Sequence, residues 1–200
     1  SARLRVAVRQ RAVYPVLTRR RTQLVRLFRF FPLVLLVITG QAPAAPVEFK
    51  ATDRVVLIGG TMIEREQRYG YWETALLAAN ADKNITFRNL GWSGDTVQAE
   101  ARGRFDFANA DKCFQQLVNL TLELKPTVIF ISYGTNESFE GKEGLPKFEN
   151  GLEKLLDALK PANAPIVLFT PPPFEAHPRF PDPKTRNAIL RDYADVARKV

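Results

Sequence analysis

Residues 127–132 read Thr-Val-Ile-Phe-Ile-Ser, the most strand-like stretch of this 200-residue chain. Its middle holds only β-branched and aromatic residues, which pack well on the pleated surface of a sheet. Pro126 stands directly before this stretch and ends the helical pattern that precedes it. A short, uninterrupted apolar run between helical patterns is typical of a strand that is buried in a parallel sheet.

The rest of the chain after residue 46 alternates between similar short runs and helical patterns. Three more strands are predicted, at residues 54–58, 85–89 and 166–170. Four helices are predicted from apolar residues at helical spacing, at residues 71–79, 112–124, 145–159 and 185–200. Short apolar strands with helices between them favour an α/β fold, in which a doubly wound parallel sheet is covered on both faces. The sequence therefore predicts three layers, α/β/α, over residues 46–200.

The first 45 residues have the order of an export signal. Residues 1–29 are rich in arginine, residues 30–39 are apolar, and small residues follow with an Ala-x-Ala pattern at Ala42 and Ala44. This order predicts a cleaved signal peptide and a mature domain in the periplasm or outside the cell. The apolar run is shorter than the roughly 20 residues that span a bilayer. An uncleaved, membrane-anchoring leader is the alternative, and it would be the only contact with a membrane.

Charge and composition exclude several classes of partner. The net charge of +8 arises in the leader, because residues 1–46 contain nine arginines and no acidic residue. A domain that binds nucleic acid should carry positive charge on its folded part, so no nucleic-acid partner is expected. Cys113 and His177 are the only cysteine and histidine. They cannot form an internal disulfide or a Cys/His metal cage, and we expect no metal or cofactor.

Polar groups follow three of the four predicted strands. They are Gly-Gly-Thr at 59–61, Leu-Gly-Trp-Ser-Gly-Asp-Thr at 90–96 and Tyr-Gly-Thr-Asn-Glu-Ser at 133–138, while three prolines follow the last strand. In an open parallel sheet, ligands bind beyond the carboxyl ends of the strands. These blocks therefore predict a small-molecule site at one edge of the sheet.

Two other interpretations of these blocks stay open at this point. Each glycine could serve only a tight turn, and Asn136 could simply cap a helix. The second of these interpretations is a nucleotide-binding domain. The sequence does not favour it, because neither G-x-G-x-x-G nor G-K-[ST] occurs after residue 59.

The order of the three blocks resembles the SGNH, or GDSL-like, hydrolase family of bacterial secreted esterases. Residues 89–96 are similar to the family's Ser-Gly-Asp-Thr form of the second block, and residues 134–137 to its Gly-x-Asn-(Asp/Glu) block. The resemblance covers roughly residues 53–200. It implies a flavodoxin-like SGNH fold and the hydrolysis of acyl esters, with carbohydrate esters as a plausible substrate class.

By this resemblance, Thr61 occupies the position of the nucleophile, and the backbone N–H of Gly94 and the side-chain amide of Asn136 would stabilise an oxyanion. Five further residues at the same strand ends are expected to support the site: Gly59, Gly60, Asp95, Gly134 and Glu137. Asp95 and Glu137 are expected to orient the loops rather than to act as an acid/base pair.

Three further side chains on this edge could take part. Ser93 and Ser138 are hydroxyls that could be proposed as nucleophiles, although serine beside a turn commonly bonds local backbone. Trp92 could stack on a sugar, and a buried tryptophan is the simpler interpretation.

The sequence departs from the family pattern in two ways. Thr61 stands where the family has serine, and Gly60 stands where it has an acidic residue. The family's Asp-x-x-His block and last strand are not found by residue 200, so the sheet is expected to lack that strand. His177 is out of the family's order and is expected to lie in a surface loop. An exported ester hydrolase is therefore the first hypothesis, and a non-catalytic ligand-binding module with the same cleft is the alternative.

Overall fold

The computed structural model describes residues 47–103 and 109–200. The predicted leader and its cleavage site fall outside the described residues. Within the two described ranges, no helix has the length and apolar character needed to cross a membrane.

Four parallel strands form one sheet in the described part of the chain. They are β1 (Arg54–Gly59), β2 (Thr86–Asn89), β3 (Val128–Ser132) and β4 (Ile166–Phe169), in the spatial order β2-β1-β3-β4. Strand β3, formed by the stretch at 127–132, is buried along its whole length. The predicted α/β fold with a parallel sheet is confirmed, because every strand pair is parallel and the strands alternate with helices along the chain.

Five α-helices lie in the described ranges. They are α1 (Thr61–Tyr69), α2 (Tyr71–Ala79), α3 (Ala110–Glu123), α4 (Leu145–Leu159) and α5 (Lys184–Lys199). Short 3₁₀ segments occupy Glu100–Gly103, Glu137–Gly144 and Lys160–Ala162. The four predicted helices are confirmed to within two residues at each end. Helix α1 was not predicted, because Ile63 is its only buried residue and its remaining sequence is mostly polar.

The two faces of the sheet are covered by different helices, which gives the predicted three layers. Val56 and Ile58 of β1 pack with residues of α3 and α4 in one apolar cluster. Val55 and Leu57 pack on the opposite face, where the cluster includes Ile63 of α1. Successive side chains of a strand point to opposite faces, so each central strand contributes to both clusters. Cys113 of α3 is buried in the first cluster, as expected for a structural thiol.

Candidate active site

The strand order places a crevice between β1 and β3. The chain passes from β1 to β2 on one side and then crosses to β3 on the other side of β1. Ligands of open α/β sheets bind at such a reversal, beyond the carboxyl ends of the strands. Gly59 at the end of β1 is in register with Ser132 at the end of β3. The blocks that follow these two strands therefore open onto the same crevice.

Thr61 stands at the rim of this crevice because β1 turns directly into α1. Thr61 is the first residue of α1, and the Gly60 N–H donates to the Ser132 carbonyl oxygen over 3.2 Å. A Cβ atom on Gly59 would overlap the Ser132 carbonyl oxygen and the Ile63 side chain. The sharp turn that presents the Thr61 hydroxyl thus requires glycine at position 59.

The loop after β2 brings Gly94 to Thr61. The Gly94 N–H donates to Thr61 Oγ1 over 2.9 Å. Gly94 has a φ of +75°, a conformation that residues with a Cβ rarely adopt. The Trp92 N–H holds the same loop to β1 by donating to the Gly59 carbonyl oxygen over 3.0 Å. The backbone N–H predicted as an oxyanion donor therefore points at the predicted nucleophile.

Asn136 completes the group from the end of β3. Its side-chain amide donates to the Asp95 carbonyl oxygen over 2.6 Å and makes no cap bond to the 3₁₀ segment that follows. A Cβ on Gly60 would lie 3.1 Å from Asn136 Nδ2, so the amide stands directly over the β1–α1 turn. Thr61 and Asn136 line one cavity of about 240 Å³, the Thr61 cavity, together with Gly60 and Tyr133. The structure thus brings Thr61, Gly94 and Asn136 together, while their chemical roles stay predictions.

The Glu137 side chain connects the loop after β2 to the loop after β3, beneath Thr61, Gly94 and Asn136. Its buried carboxylate accepts hydrogen bonds from the Val97 N–H over 2.7 Å and from the Gly134 N–H over 2.8 Å. Burial raises the pKa of Glu137, and the two backbone N–H groups partly offset that effect. The arrangement suits a residue that orients loops, because both of its oxygens already serve backbone donors.

Asp95, in the loop after β2, is buried and belongs to a second cluster of hydrogen-bonded polar side chains. Its Oδ2 accepts from Arg102 Nε over 2.6 Å and from the Tyr133 hydroxyl over 3.1 Å. Burial raises the pKa of the Asp95 carboxyl, with the Arg102 charge acting in the opposite direction. Burial and the neighbouring Asp95 carboxylate also raise the pKa of Tyr133 well above its ordinary value. Arg102 was not predicted as a site residue, because no motif of the sequence includes it.

A model of the GDSL-like lipase/acylhydrolase family matches residues 39–200. The chain belongs to this family. The match includes Gly59 to Thr61, 89–96 and 134–137, the three blocks on which the resemblance depends.

Solved structures agree with this membership at the level of the fold. A catalytic mutant of Axe2, an acetylxylan esterase from Geobacillus stearothermophilus, is 20% identical with a TM-score of 0.55, over 76% of this chain and 73% of that one. LAE5, an α/β hydrolase from the metagenome of Lake Arreo, is 20% identical with a TM-score of 0.54 over the same shares. BT4096, a gut microbial diltiazem-metabolizing enzyme, has a TM-score of 0.52 at 18% identity, over 76% of this chain and 35% of that one. No curated protein matches the chain.

Ser93 and Ser138, the other two hydroxyls considered as nucleophiles in this GDSL-like protein, are not among the residues that line the Thr61 cavity, whereas Ser132, Tyr133 and Thr135 line it. Ser138 is buried and its hydroxyl donates to the Thr135 carbonyl oxygen over 2.6 Å, a local turn bond. Ser93 is exposed, and its hydroxyl lies 3.3 Å from Glu64 Oε2. Thr61 is the residue whose hydroxyl accepts a hydrogen bond from the Gly94 N–H.

His177 lies in an exposed loop after β4, as expected from the sequence. Its backbone pairs with Phe180, and its Nδ1 accepts from the Arg179 N–H over 3.2 Å. His177 is not among the residues that line the Thr61 cavity. Over residues 47–103 and 109–200, no cluster of His, Cys, Asp and Glu has the make-up of a metal site.

We predict that replacing Glu137 by glutamine changes how stability depends on pH. Because the pKa of the folded carboxyl lies above its ordinary value of 4.5, the folded state binds more protons than the unfolded state just above pH 4.5. The wild-type free energy of unfolding therefore falls as pH rises through that window, and glutamine removes this contribution. Urea unfolding across that window measures the difference. The advantage of the wild type over Glu137→Gln should be largest at acid pH and shrink toward neutral pH, and an advantage that grows with pH contradicts the prediction.

Proposed function

We propose that this GDSL-like protein hydrolyses acyl esters, carbohydrate esters among them, with Thr61 as the nucleophile. One observation carries the proposal: Thr61 and Asn136 line one cavity, and the Gly94 N–H donates to the Thr61 hydroxyl. Family membership supports acyl-ester chemistry, and the likeness in fold to an acetylxylan esterase supports the carbohydrate class.

The proposed reaction begins with attack by Thr61 Oγ1 on the acyl carbon. A C–O bond forms, the carbonyl π electrons move onto oxygen, and the hydroxyl proton passes to water or another base. The Gly94 N–H, which leaves Thr61 Oγ1 as that oxygen becomes acylated, and the second proton of the Asn136 amide would donate to the new oxyanion, each such donor being worth about 2.7–4 kcal/mol of barrier. Collapse of the intermediate expels the alcohol, which takes up a proton, and water then releases the acid from the acyl-threonine.

Thr61 lies at the start of α1, where the electrostatic field of the helix N-terminus favours the developing negative charge. The unpaired N–H groups of a helix N-terminus favour negative charge by about 0.3–1 kcal/mol. The methyl group of threonine has the opposite effect on rate, because it restricts χ1 and crowds the approach to a carbonyl. We therefore expect Thr61 to be a slower nucleophile than a serine in the same place.

Replacing Asn136 by alanine tests the oxyanion role. We expect kcat for hydrolysis of p-nitrophenyl acetate to fall about 100- to 1000-fold while KM changes little, because the donor acts mainly in the transition state. Asn150, exposed on α4, supplies the matched control, and Asn150→Ala should keep the wild-type rate. A thermal unfolding curve for each variant separates loss of the donor from loss of the fold. Equal rates for the two variants would refute the role assigned to Asn136.

A non-catalytic ligand-binding module is the second candidate. The position of His177 outside the Thr61 cavity favours it, because a hydroxyl without a nearby base is a poor nucleophile near neutral pH. This candidate predicts that Thr61→Ala and the wild type bind ester ligands equally and that neither turns them over. A comparison of the hydrolysis rates of the wild type and Thr61→Ala decides between the two.

Export of residues 46–200 after cleavage of the leader also stays a proposal. It is supported by the arginine-rich, apolar and small-residue order of residues 1–45. Mass spectrometry of the protein recovered outside the cytoplasm tests this proposal. Cleavage near Ala44 would lower the molecular mass by that of the leader, which contains all nine leader arginines.

A further inference from the structure

An open groove lies beside the Thr61 cavity, and we call it the Trp92 groove. It is lined by Glu64, Gln67, Gly91, Trp92 and Ser93 and has a volume of about 490 Å³. Trp92 is 39% exposed there, although large aromatic side chains gain free energy from burial. An exposed indole among a carboxylate, an amide and a hydroxyl has the composition of a ligand site.

We propose that the Trp92 groove binds the sugar ring on the alcohol side of the ester. The flat C–H face of a neutral sugar can stack on the indole, and its hydroxyls can bond the polar side chains at the groove edge. Glu64 brings a negative charge, so a neutral sugar fits better than a uronic acid. This inference rests on the proposed ester hydrolysis, because it assigns one half of that substrate to a place beside Thr61.

Helix geometry places Thr61 between the Trp92 groove and the Thr61 cavity. Successive residues of an α-helix are rotated by about 100°. Glu64 and Gln67 therefore lie on one side of Thr61 around α1, and Met62 and Arg65 lie on the other, where they line the Thr61 cavity. An ester held at Thr61 would have one half on each side. The smaller cavity suits a short acyl group, and the wider, more open groove suits a sugar.

The groove is held in place by contacts that do not involve a ligand. A Cβ on Gly91 would overlap the backbone of Ile63 and Glu64, so the Trp92 loop packs directly on α1. The Asn89 amide donates to the Ile63 carbonyl oxygen over 2.7 Å, and its Oδ1 accepts from the Gly91 N–H over 2.8 Å. Asn89 Oδ1 also accepts from Gln67 Nε2 over 3.2 Å. Trp92 is thus presented on a fixed loop, which lowers the entropic cost of binding.

The two tryptophans of the chain allow a test with an internal control. In a ¹H–¹⁵N spectrum of the full chain, the indole signal of Trp92 should shift on titration with xylotetraose or cellotetraose. The signal of Trp72 should stay in place, because Trp72 stacks on Phe169 at 4.8 Å on a helix-covered face of the sheet. Tetragalacturonate, which carries carboxylates, should shift neither. The absence of any shift with both neutral sugars overturns the proposal.

Kinetics separate this proposal from the proposed hydrolysis. Trp92→Ala should raise KM for an acetylated xylo-oligosaccharide roughly two- to tenfold and change kcat/KM much less for methyl acetate, whose alcohol half is too small to reach the indole. Tyr71→Ala removes another exposed aromatic, outside the groove, and should change neither. An equal loss on both esters overturns the proposal, since Trp92 would then only support the loop. If neither ester is hydrolysed but the Trp92 signal titrates, the hydrolase function fails and the sugar site stands.

Discussion

Thr61→Ala is expected to bring ester hydrolysis down to the buffer rate. The substitution removes the hydroxyl that lies 2.9 Å from the Gly94 N–H, and no other serine or threonine hydroxyl among the described residues both lines the cavity and accepts from that donor. The loss should exceed the roughly 100- to 1000-fold effect of deleting one oxyanion donor. Thr61→Ser should keep the activity or raise it, because serine retains the hydroxyl without the methyl group that restricts χ1.

The measurement is release of p-nitrophenol from the acetate ester, with and without added imidazole as an external base. Imidazole is included because His177 does not line the cavity. A protein-free reaction under the same conditions serves as the blank, and Thr74→Ala, which changes an exposed threonine of α2, is the matched control. A wild-type rate equal to that of Thr61→Ala in both buffers rules out threonine catalysis and leaves the binding module.

Arg102→Ala is expected to lower the free energy of unfolding by about 3–5 kcal/mol at neutral pH. The guanidinium Nε lies 2.6 Å from Asp95 Oδ2, and the two side chains are 13% and 0% exposed. Removing Arg102 leaves a carboxylate in a buried site without its cation. The Leu90 carbonyl oxygen, which accepts from Arg102 Nη2 over 2.6 Å, loses its partner as well.

Arg198→Ala is the matched control for this prediction. Arg198 Nη1 is also 2.6 Å from a carboxylate, that of Asp195, but these side chains are 61% and 72% exposed. Water screens such a pair, so the cost should stay at or below about 1 kcal/mol. Urea unfolding of both variants measures the contrast, and equal costs would contradict the prediction.

The pH dependence and a second substitution trace the Arg102 effect to Asp95. Burial already raises the pKa of Asp95, and loss of the neighbouring cation should raise it further. The penalty of Arg102→Ala should therefore shrink as pH falls and the carboxyl becomes protonated. Asp95→Asn in the same background should recover part of the stability at neutral pH, because it removes the unpaired charge.

Most of the sheet could be predicted because its strands carry their own signal. Residues 127–132 and the other three apolar runs match β1 to β4 to within a residue at each end, and the predicted helices match to within two residues. Helix α1 escaped prediction for the opposite reason. Only Ile63 of its nine residues is buried, so its contact with the sheet rather than an apolar stripe of its own holds it in place.

The blocks after β1, β2 and β3 could also be located in advance. Parallel strands end at the same edge, so Thr61, Gly94 and Asn136 were expected to converge without knowledge of any contact. The partners of Asp95 and Glu137 could not be found this way. Asp95 meets Tyr133 across 38 positions, and Glu137 meets Val97 across 40, through bonds that no local pattern encodes.

The sequence by itself determined the strand and helix pattern, the family blocks and the edge of the sheet that carries them, since these depend on local periodicity and on the rule that parallel strands share an end. Only the tertiary structure decided that Arg102 pairs with the buried Asp95 and that Trp92 is exposed beside Glu64 and Gln67. These facts depend on how loops from distant strands pack against one another, and that packing is set by the whole domain.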